Sequence, residues 1–365
     1  MKPYRLSERK SRRSVLKSIA AAGIAASIAD RAATARAQAA TKPATNPATT
    51  QADDVTVEDL ASTDKVLGHP YSREEQEMAL GSVKGKRGLY VSLRKRELDE
   101  AEPAVQFNPR VAGTKVPRGE SKFVMREGEL RSYDGKVESL AFASAADLSR
   151  LVHAKKVTSL ELTKMYLQRL KTIGNKLNAV ITLMEERALA SAQRADEELA
   201  AGKSRGPLHG IPYGAKDCFA AKGYPTTWGV EIYKNRLIDH DATVIAKLED
   251  AGAVLCAKLS LGELCMGDVW FGGTTRCPWS PKEGSSGSSA GPCAMVAAGC
   301  VGFAIGTETH GSIISPCMVN GTTGLRPTYG RVSRHGAMAL SRTLDKVGPI
   351  GRSAQDCAMV LGAIH

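Results

Sequence analysis

Aromatic residues are scarce, only 5% of the 365-residue chain, with six phenylalanines and three tryptophans. No basic stripe interleaved with aromatic side chains occurs, so a nucleic-acid-binding face is excluded and no nucleic-acid partner is expected. No apolar run is long enough to span a bilayer, which excludes a stable membrane anchor. C-x-x-C pairs and histidine clusters at metal-ligand spacing are also missing, so no metal is expected. The phosphate-loop ending Gly-Lys-Ser/Thr is absent, and no G-x-G-x-x-G follows a strand-like run. Read from Gly284, the G-x-S-x-G elbow of the α/β-hydrolases fails too, because Gly284-Ser-Ser-Gly287 is followed by serine.

What is present is a 42% hydrophobic composition, enough for one large core or two smaller ones, and a net charge of +12. Residues 1–37 hold nine Lys or Arg against Glu8 and Asp30, leaving the remainder at +5, an ordinary mixed surface. The eight cysteines (Cys218, Cys256, Cys265, Cys277, Cys293, Cys300, Cys317 and Cys357) all lie in the second half, mostly within apolar stretches. They read as small buried hydrophobes rather than a disulfide framework.

The basic head has an order of its own. Ser11-Arg12-Arg13-Ser14-Val15-Leu16-Lys17 precedes a mildly apolar, Ala-rich run from Ser18 to Ala29, and Ala35-Arg36-Ala37 offers small residues for cleavage. Residues 1–37 resemble a twin-arginine export signal, which implies the twin-arginine translocase as a partner and the bacterial periplasm or extracytoplasmic space as the destination. Residues 38–54, rich in Pro, Thr and Ala, read as a flexible linker. Residues 55–136 stay polar and charge-rich and carry no assignable role.

From about Ser144 onward helix and strand signals alternate, which argues an α/β fold. Leu148, Leu151 and Val152 share one helical face, and Thr158-Ser-Leu-Glu161 is a capping box opening a second helix that closes at Gly174. Ala179–Leu183 suits a strand, Glu185–Ala201 a helix stopped by Gly202, Ile211–Ala215 a strand ending at Lys216, Thr243–Ala251 a helix and Ala253–Ala257 a buried strand. Pro292 suits a first helical position, with a short apolar helix over Cys293–Ala298, Gly299 as its stop and the strand Val301–Ile305 after it. The serines of Gly284–Gly291 and Ser312 thus fall where a helix begins and a strand ends, the edges at which α/β proteins display reactive groups.

Lys216-Asp217, Gly287-Ser288-Ser289-Ala290-Gly291, Gly306-Thr307-Glu308-Thr309-His310-Gly311-Ser312-Ile313 and Gly324-Leu325-Arg326-Pro327-Thr328 follow one another in that order. Pro225-Thr226-Thr227 and Cys277-Pro278-Trp279 lie between them. Together these resemble the amidase signature family of serine hydrolases from about Ala143 to the C-terminus. The resemblance implies an amidase signature domain over 137–365, with a central mixed β-sheet flanked by helices on both faces. It implies a Ser-Ser-Lys triad in which Ser312 is the nucleophile, Ser288 the bridging serine on a cis peptide bond, and Lys216 the base. Lysine accepts a proton only as the free amine, and a hydroxyl between base and nucleophile can relay it. Ser288 lies 24 residues before Ser312, the spacing that fits the family without a gap; Ser285, in the neighbouring Gly-Ser-Ser, would need three extra residues. The amides of Thr309, His310, Gly311 and Ser312 are the oxyanion-hole candidates.

The reaction so implied is hydrolysis of a small-molecule or peptide amide through an acyl-enzyme, with no organic cofactor. Two alternatives stand beside it: a glutamine-dependent transamidating subunit of the same fold, and a non-catalytic scaffold. The chain departs from the family pattern at His310, where most members have glycine, and at Glu308, where they have aspartate. Ile314 replaces a frequent arginine, so a structural ion pair is expected to be missing, and Asn320 is expected to join the local hydrogen bonding. Family members continue well past Thr328, so the domain reads as C-terminally incomplete. The apolar face around Met359, Val360 and Leu361 is expected to lack a cover.

Overall fold

The computed structural model describes residues 54–67, 70–95, 113 and 129–365, so the twin-arginine segment and all but the last residue of the linker lie outside the described residues. The chain divides into two compact units, Met1–Ala101 and Glu102–His365.

In the first unit the polar sequence forms two helices, α1 (Val57–Leu67) and α2 (Arg73–Arg94). A capping box starts α2: the Ser72 hydroxyl accepts from Glu75 N, and the Glu75 side chain accepts from the Ser72 backbone. Gln76 is buried and donates to Asp64 Oδ2 at 2.7 Å, tying the helices together. Arg73 pairs with both Glu58 and Glu77, but these exposed ion pairs add little. Helices therefore form where hydrophobic periodicity signalled none, specified by caps and polar ties.

The second unit holds the α/β layers. In chain order they are α3 (Ala145–His153), α4 (Ser159–Arg169), β1 (Val180–Leu183), α5 (Glu185–Ala200), β2 (Pro212–Lys216), α6 (Thr243–Asp250) and β3 (Val254–Leu259). Next come the short strands β4 (Val269–Trp270), β5 (Gly273–Thr274), β6 (Arg276–Cys277) and β7 (Ser280–Gly284). The remainder is α7 (Ala290–Ala297), β8 (Phe303–Glu308), α8 (Ile314–Asn320), β9 (Thr323–Gly324), β10 (Lys346–Gly351) and α9 (Ala354–Ile364). Thr158 and Glu161 form the expected capping box at the start of α4. That helix runs on through a π-helical turn, Leu170–Gly174, to the expected end.

The sheet is mixed, with strand order β1-β3-β2-β8-β10-β9. β3, β2 and β8 run parallel; β1, β10 and β9 are antiparallel to their neighbours. Every residue of the three parallel strands is buried, which requires cover on both faces. Alternate residues divide between two apolar clusters. Tyr213, Ala215, Phe303 and Ile305 join side chains of α3, α6 and α9; Ala304, Val254 and Cys256 join those of α5, α7 and α8. Tyr213 and Phe303 stack with ring centroids 5.1 Å apart.

Two expectations change here. Pro292 is the third residue of α7, not the first, because Ser289 ends the preceding chain and Ala290 opens the helix. The N–H that proline lacks is one a helix leaves unpaired in its first turn anyway, so the position is tolerated. The face around Met359, Val360 and Leu361 is covered: Met359 and Val360 are fully buried and Leu361 partly, in the cluster shared with α3 and α6. Polar ties hold α9 in place. Asp356 accepts from Ala146 N at 3.1 Å, and the Arg352 guanidinium donates to the carbonyl oxygens of Ala143, Val296, Val301 and Gly302 at 2.7–3.1 Å.

Candidate active site

Parallel pairing of β2 with β8 sets Ala215 beside Ile305, so both strands end together. Lys216 closes β2, and Thr307 and Glu308 close β8. The start of α7 brings Ser288 and Ser289 to the same sheet edge.

Lys216 is fully buried, and its Nζ donates to Ser288 Oγ at 2.8 Å and to Thr307 Oγ1 at 2.8 Å. The Thr307 carbonyl lies farther, at 3.5 Å. Ser288 follows a cis peptide bond from Gly287. Gly287 must be glycine: an added Cβ would lie 1.8 Å from Gly267 O. Ser289 N donates to Ser312 O at 3.0 Å, which fastens the Ser312 backbone beside this pair. The Ser312 side chain is half-buried and hydrogen-bonds no group among the described residues. The structure therefore brings Lys216 and Ser288 into contact and sets Ser312 next to them without closing the second hydroxyl contact. Hydrogen bonds of this kind commonly tighten only around substrate.

Ser285 is elsewhere. It is buried, its hydroxyl donates to Ser286 O at 3.1 Å, and its own carbonyl accepts from Asn320 Nδ2 at 2.8 Å, so Asn320 does join the local hydrogen bonding. The elbow pattern that fails from Gly284 does fit from Gly287, with Ser289 at its centre. Its structural counterpart is not an exposed nucleophile: Ser289 is fully buried and its hydroxyl donates to Thr307 O at 3.0 Å.

The loop after β8 is braced from within. Glu308 Oε2 accepts from Ile313 N and Ile314 N, both at 2.9 Å, placing a carboxylate at the start of α8. Its other oxygen pairs with Arg326 Nη1 at 3.3 Å. Position 314 supplies no cation, and Glu308 has Arg326 as its ion-pair partner. The backbone N–H groups of His310, Gly311 and Ser312 donate to no acceptor among the described residues, while the His310 side chain is exposed to solvent. Thr309 is held from both ends, its hydroxyl on Asp345 Oδ1 at 2.5 Å and its carbonyl on Lys346 Nζ at 3.0 Å.

Three features escaped sequence reasoning. Thr307, the second acceptor on Lys216, carries no signal beyond its place in the motif. Asp217 accepts from Lys258 Nζ at 2.5 Å and from the Thr227 hydroxyl and amide at 2.5 and 2.9 Å, all fully or almost fully buried. Asp217 thus has its own cation, and none of the acceptors on Lys216 is a carboxylate. Lastly, all eight cysteines are free and buried, but two of them adjoin the site. The hydrogen bond from Cys218, with the Lys216 charge and the Thr307 and Ser288 hydroxyls, pulls the Cys265 thiol down to about 6 against the opposing effect of burial. Burial pushes Cys218 up. Among the described residues no group of His, Cys, Asp or Glu is placed to hold a metal ion.

At one edge of the parallel strands a buried lysine thus meets a serine, beside a glycine-rich loop whose amides are free among the described residues. The protein-family model described as Amidase matches residues 161–365, more than half of the chain, and the chain belongs to that family. It is 42% identical over 221 residues to the A subunit of the glutamyl-tRNA(Gln) amidotransferase of Geobacter sp. (strain M21), covering 60% of this chain and 45% of the relative. Among solved structures, the peptide amidase of Stenotrophomonas maltophilia superposes with a TM-score of 0.59 at 39% identity, covering 62% of this chain and 48% of that one. An amidase family protein of Bacillus anthracis str. Ames gives 0.59 at 31% identity, with 62% and 48% covered. The chain spans about half the length of the curated relatives it matches.

Proposed function

We propose that the chain carries the acyl-transfer site of an amide hydrolase, with Ser312 as nucleophile, Ser288 as relay and Lys216 as base. The observation that carries this reading is the 2.8 Å contact from the buried Lys216 amine to Ser288, with Ser312 fastened alongside through Ser289 N. Ser312 Oγ adds to the amide carbonyl while its proton passes to Ser288 and the Ser288 proton passes to Lys216. The carbonyl oxygen, now anionic, is met by the amides of Thr309, His310 and Gly311; one such donor is worth about 2.7–4 kcal/mol. The C–N bond breaks as the proton returns through Ser288 to the leaving nitrogen. Water then repeats the sequence on the ester, releasing the acid and restoring Ser312.

A second reading, transfer of glutamine-derived ammonia as one member of a multi-protein assembly, is favoured by the names of the relatives at 41–44% identity. Cleavage of simple amides by the chain without partners separates the two. We also propose export by the twin-arginine translocase to the periplasm, on the strength of Arg12-Arg13 and the Ala-rich run behind them. Replacing both arginines with lysine is expected to retain the precursor in the cytoplasm, and unchanged export in a strain without that translocase refutes it.

Labelling by a fluorophosphonate, which reacts covalently with serine nucleophiles, tests the site. Ser312→Ala is expected to abolish labelling, Ser288→Ala to slow it severely and Ser285→Ala to do little. Undiminished labelling of Ser312→Ala overturns the mechanism; a crippled Ser285→Ala beside a mild Ser288→Ala overturns the register.

A further inference from the structure

A cleft of about 310 Å³ opens against Thr307, the residue that shares Lys216 with Ser288. Arg334, Arg342 and Lys346 bound it, and none of the three forms an ion pair among the described residues. One carboxylate, Asp345, also borders the cleft, but it is committed inward. Its oxygens accept from Thr309 Oγ1 at 2.5 Å, Leu340 N at 2.8 Å and Ser341 N at 3.0 and 3.1 Å, and it is only 7% exposed.

The cations are set by neutral partners. Arg334 donates to Arg342 O and Tyr329 Oη, both at 2.8 Å, and stacks over the Tyr329 ring at 4.6 Å, a geometry that orders the guanidinium without discharging it. Lys346 spends one N–H on Thr309 O. Burial, with the like charge of Arg326 nearby, holds its ammonium below the usual lysine range against the opposing pull of Glu308 and Asp345. The Arg342 side chain is exposed and has no partner among the described residues. Ala337, Met338 and Val347 supply apolar wall between these charges.

We propose that this cleft seats a carboxylate of the substrate, so that the amide cleaved is one whose acyl or amine portion carries an acidic group. The proposal rests on the reading of Lys216, Ser288 and Ser312 as an amide-cleaving site. A carboxylate is the group that neutralises cations lacking an ion-pair partner and takes paired N–H donors from a guanidinium. Lys346 borders the cleft and donates to Thr309 O, which ties the cleft wall to the loop after β8.

Two measurements on the full chain test it. In calorimetric titrations, glutarate is expected to bind more tightly than its neutral counterpart glutaramide, by about tenfold or more, with affinity falling as salt rises. Arg342→Gln is expected to reduce glutarate affinity about tenfold, and Arg342→Gln/Lys346→Gln to abolish the preference. Equal binding of the two compounds overturns the proposal, and inorganic phosphate binding more tightly than glutarate overturns the choice of carboxylate. In kinetics, the ratio of kcat/KM for glutaryl-p-nitroanilide over butyryl-p-nitroanilide, or for butyryl-4-aminobenzoate over butyranilide, is expected to exceed one and to collapse in the double variant. If neither kind of amide is cleaved while glutarate still binds selectively, the hydrolase reading fails and the anion site stands. If amides are cleaved with no acidic preference in either pair, the anion site fails and the hydrolase reading stands.

Discussion

The Asp217–Lys258 pair offers a perturbation whose size follows from its surroundings. Both side chains are fully buried, and Lys258 Nζ has only Pro225 O at 3.2 Å and Thr226 Oγ1 at 3.3 Å once Asp217 is gone. Asp217→Ala would also orphan the Thr227 amide and hydroxyl, at about 1–3 kcal/mol each. Asp217→Asn keeps the acceptor for both Thr227 donors but turns its amide NH2 toward the Lys258 ammonium, so the charge and the acceptor for Lys258 are lost together. Removing one member of a buried pair costs about 3–5 kcal/mol, a large part of the roughly 5–15 kcal/mol typical of a domain's stability. Lys258→Met should cost slightly less, because the remaining carboxylate keeps both Thr227 donors and no donor is set against another. The double variant Asp217→Asn/Lys258→Met leaves no unpaired charge and should be more stable than the sum of the single changes implies, by at least about 2 kcal/mol. Urea unfolding followed by circular dichroism, extrapolated to water for all four proteins, measures this coupling. Single changes that add to within about 0.5 kcal/mol would refute the claim that these two charges sustain one another.

Lys216→Met keeps the buried chain length and removes the base, so turnover is expected to fall about 10²- to 10⁴-fold at neutral pH while the cooperative melt persists; near-normal turnover by the folded variant removes Lys216 from the mechanism. Gly287→Ala drives a methyl to 1.8 Å from Gly267 O, and a melting temperature equal to the parent's would contradict that crowding. His209 has a fully buried side chain, and burial lowers its pKa below the ordinary 6.5 despite Glu198 Oε2 at 3.2 Å. The unfolded chain therefore binds the extra proton first, and stability should fall as pH drops below about 6.5, by up to about 1.4 kcal/mol per unit. His209→Gln should flatten that dependence between about pH 7.5 and 5.5, and parallel slopes for the two proteins would refute the assignment.

What the sequence made legible was local or motif-borne. The Thr158–Glu161 capping box spans four residues, and β2, β3 and β8 each lie on a short, largely apolar run, so both could be read directly. Ser288 could be separated from Ser285 by its spacing to Ser312, and the contact with Lys216 falls on Ser288. The missed features depend on pairing across strands. Lys258 sits 41 residues after Asp217, and only the parallel register of β2 with β3 makes them neighbours. Arg326, 18 residues after Glu308, pairs with it through the fold and not through any local pattern. Cys265 adjoins the site through a turn in which Leu264 and Cys265 both have positive φ, a backbone shape that no hydrophobic period announces.

The ties made by Arg352 and Asp356 bear on how the second unit is assembled. They join α9 and the end of β10 to residues 209 and 210 positions earlier in the chain. During synthesis, residues 129–340 emerge with the first turn of α3 and the carbonyls of Val296, Val301 and Gly302 still waiting for partners that the ribosome has not yet made. Such long sequence separations slow the docking of α9 and leave the groups it will cover exposed to misassembly until it arrives.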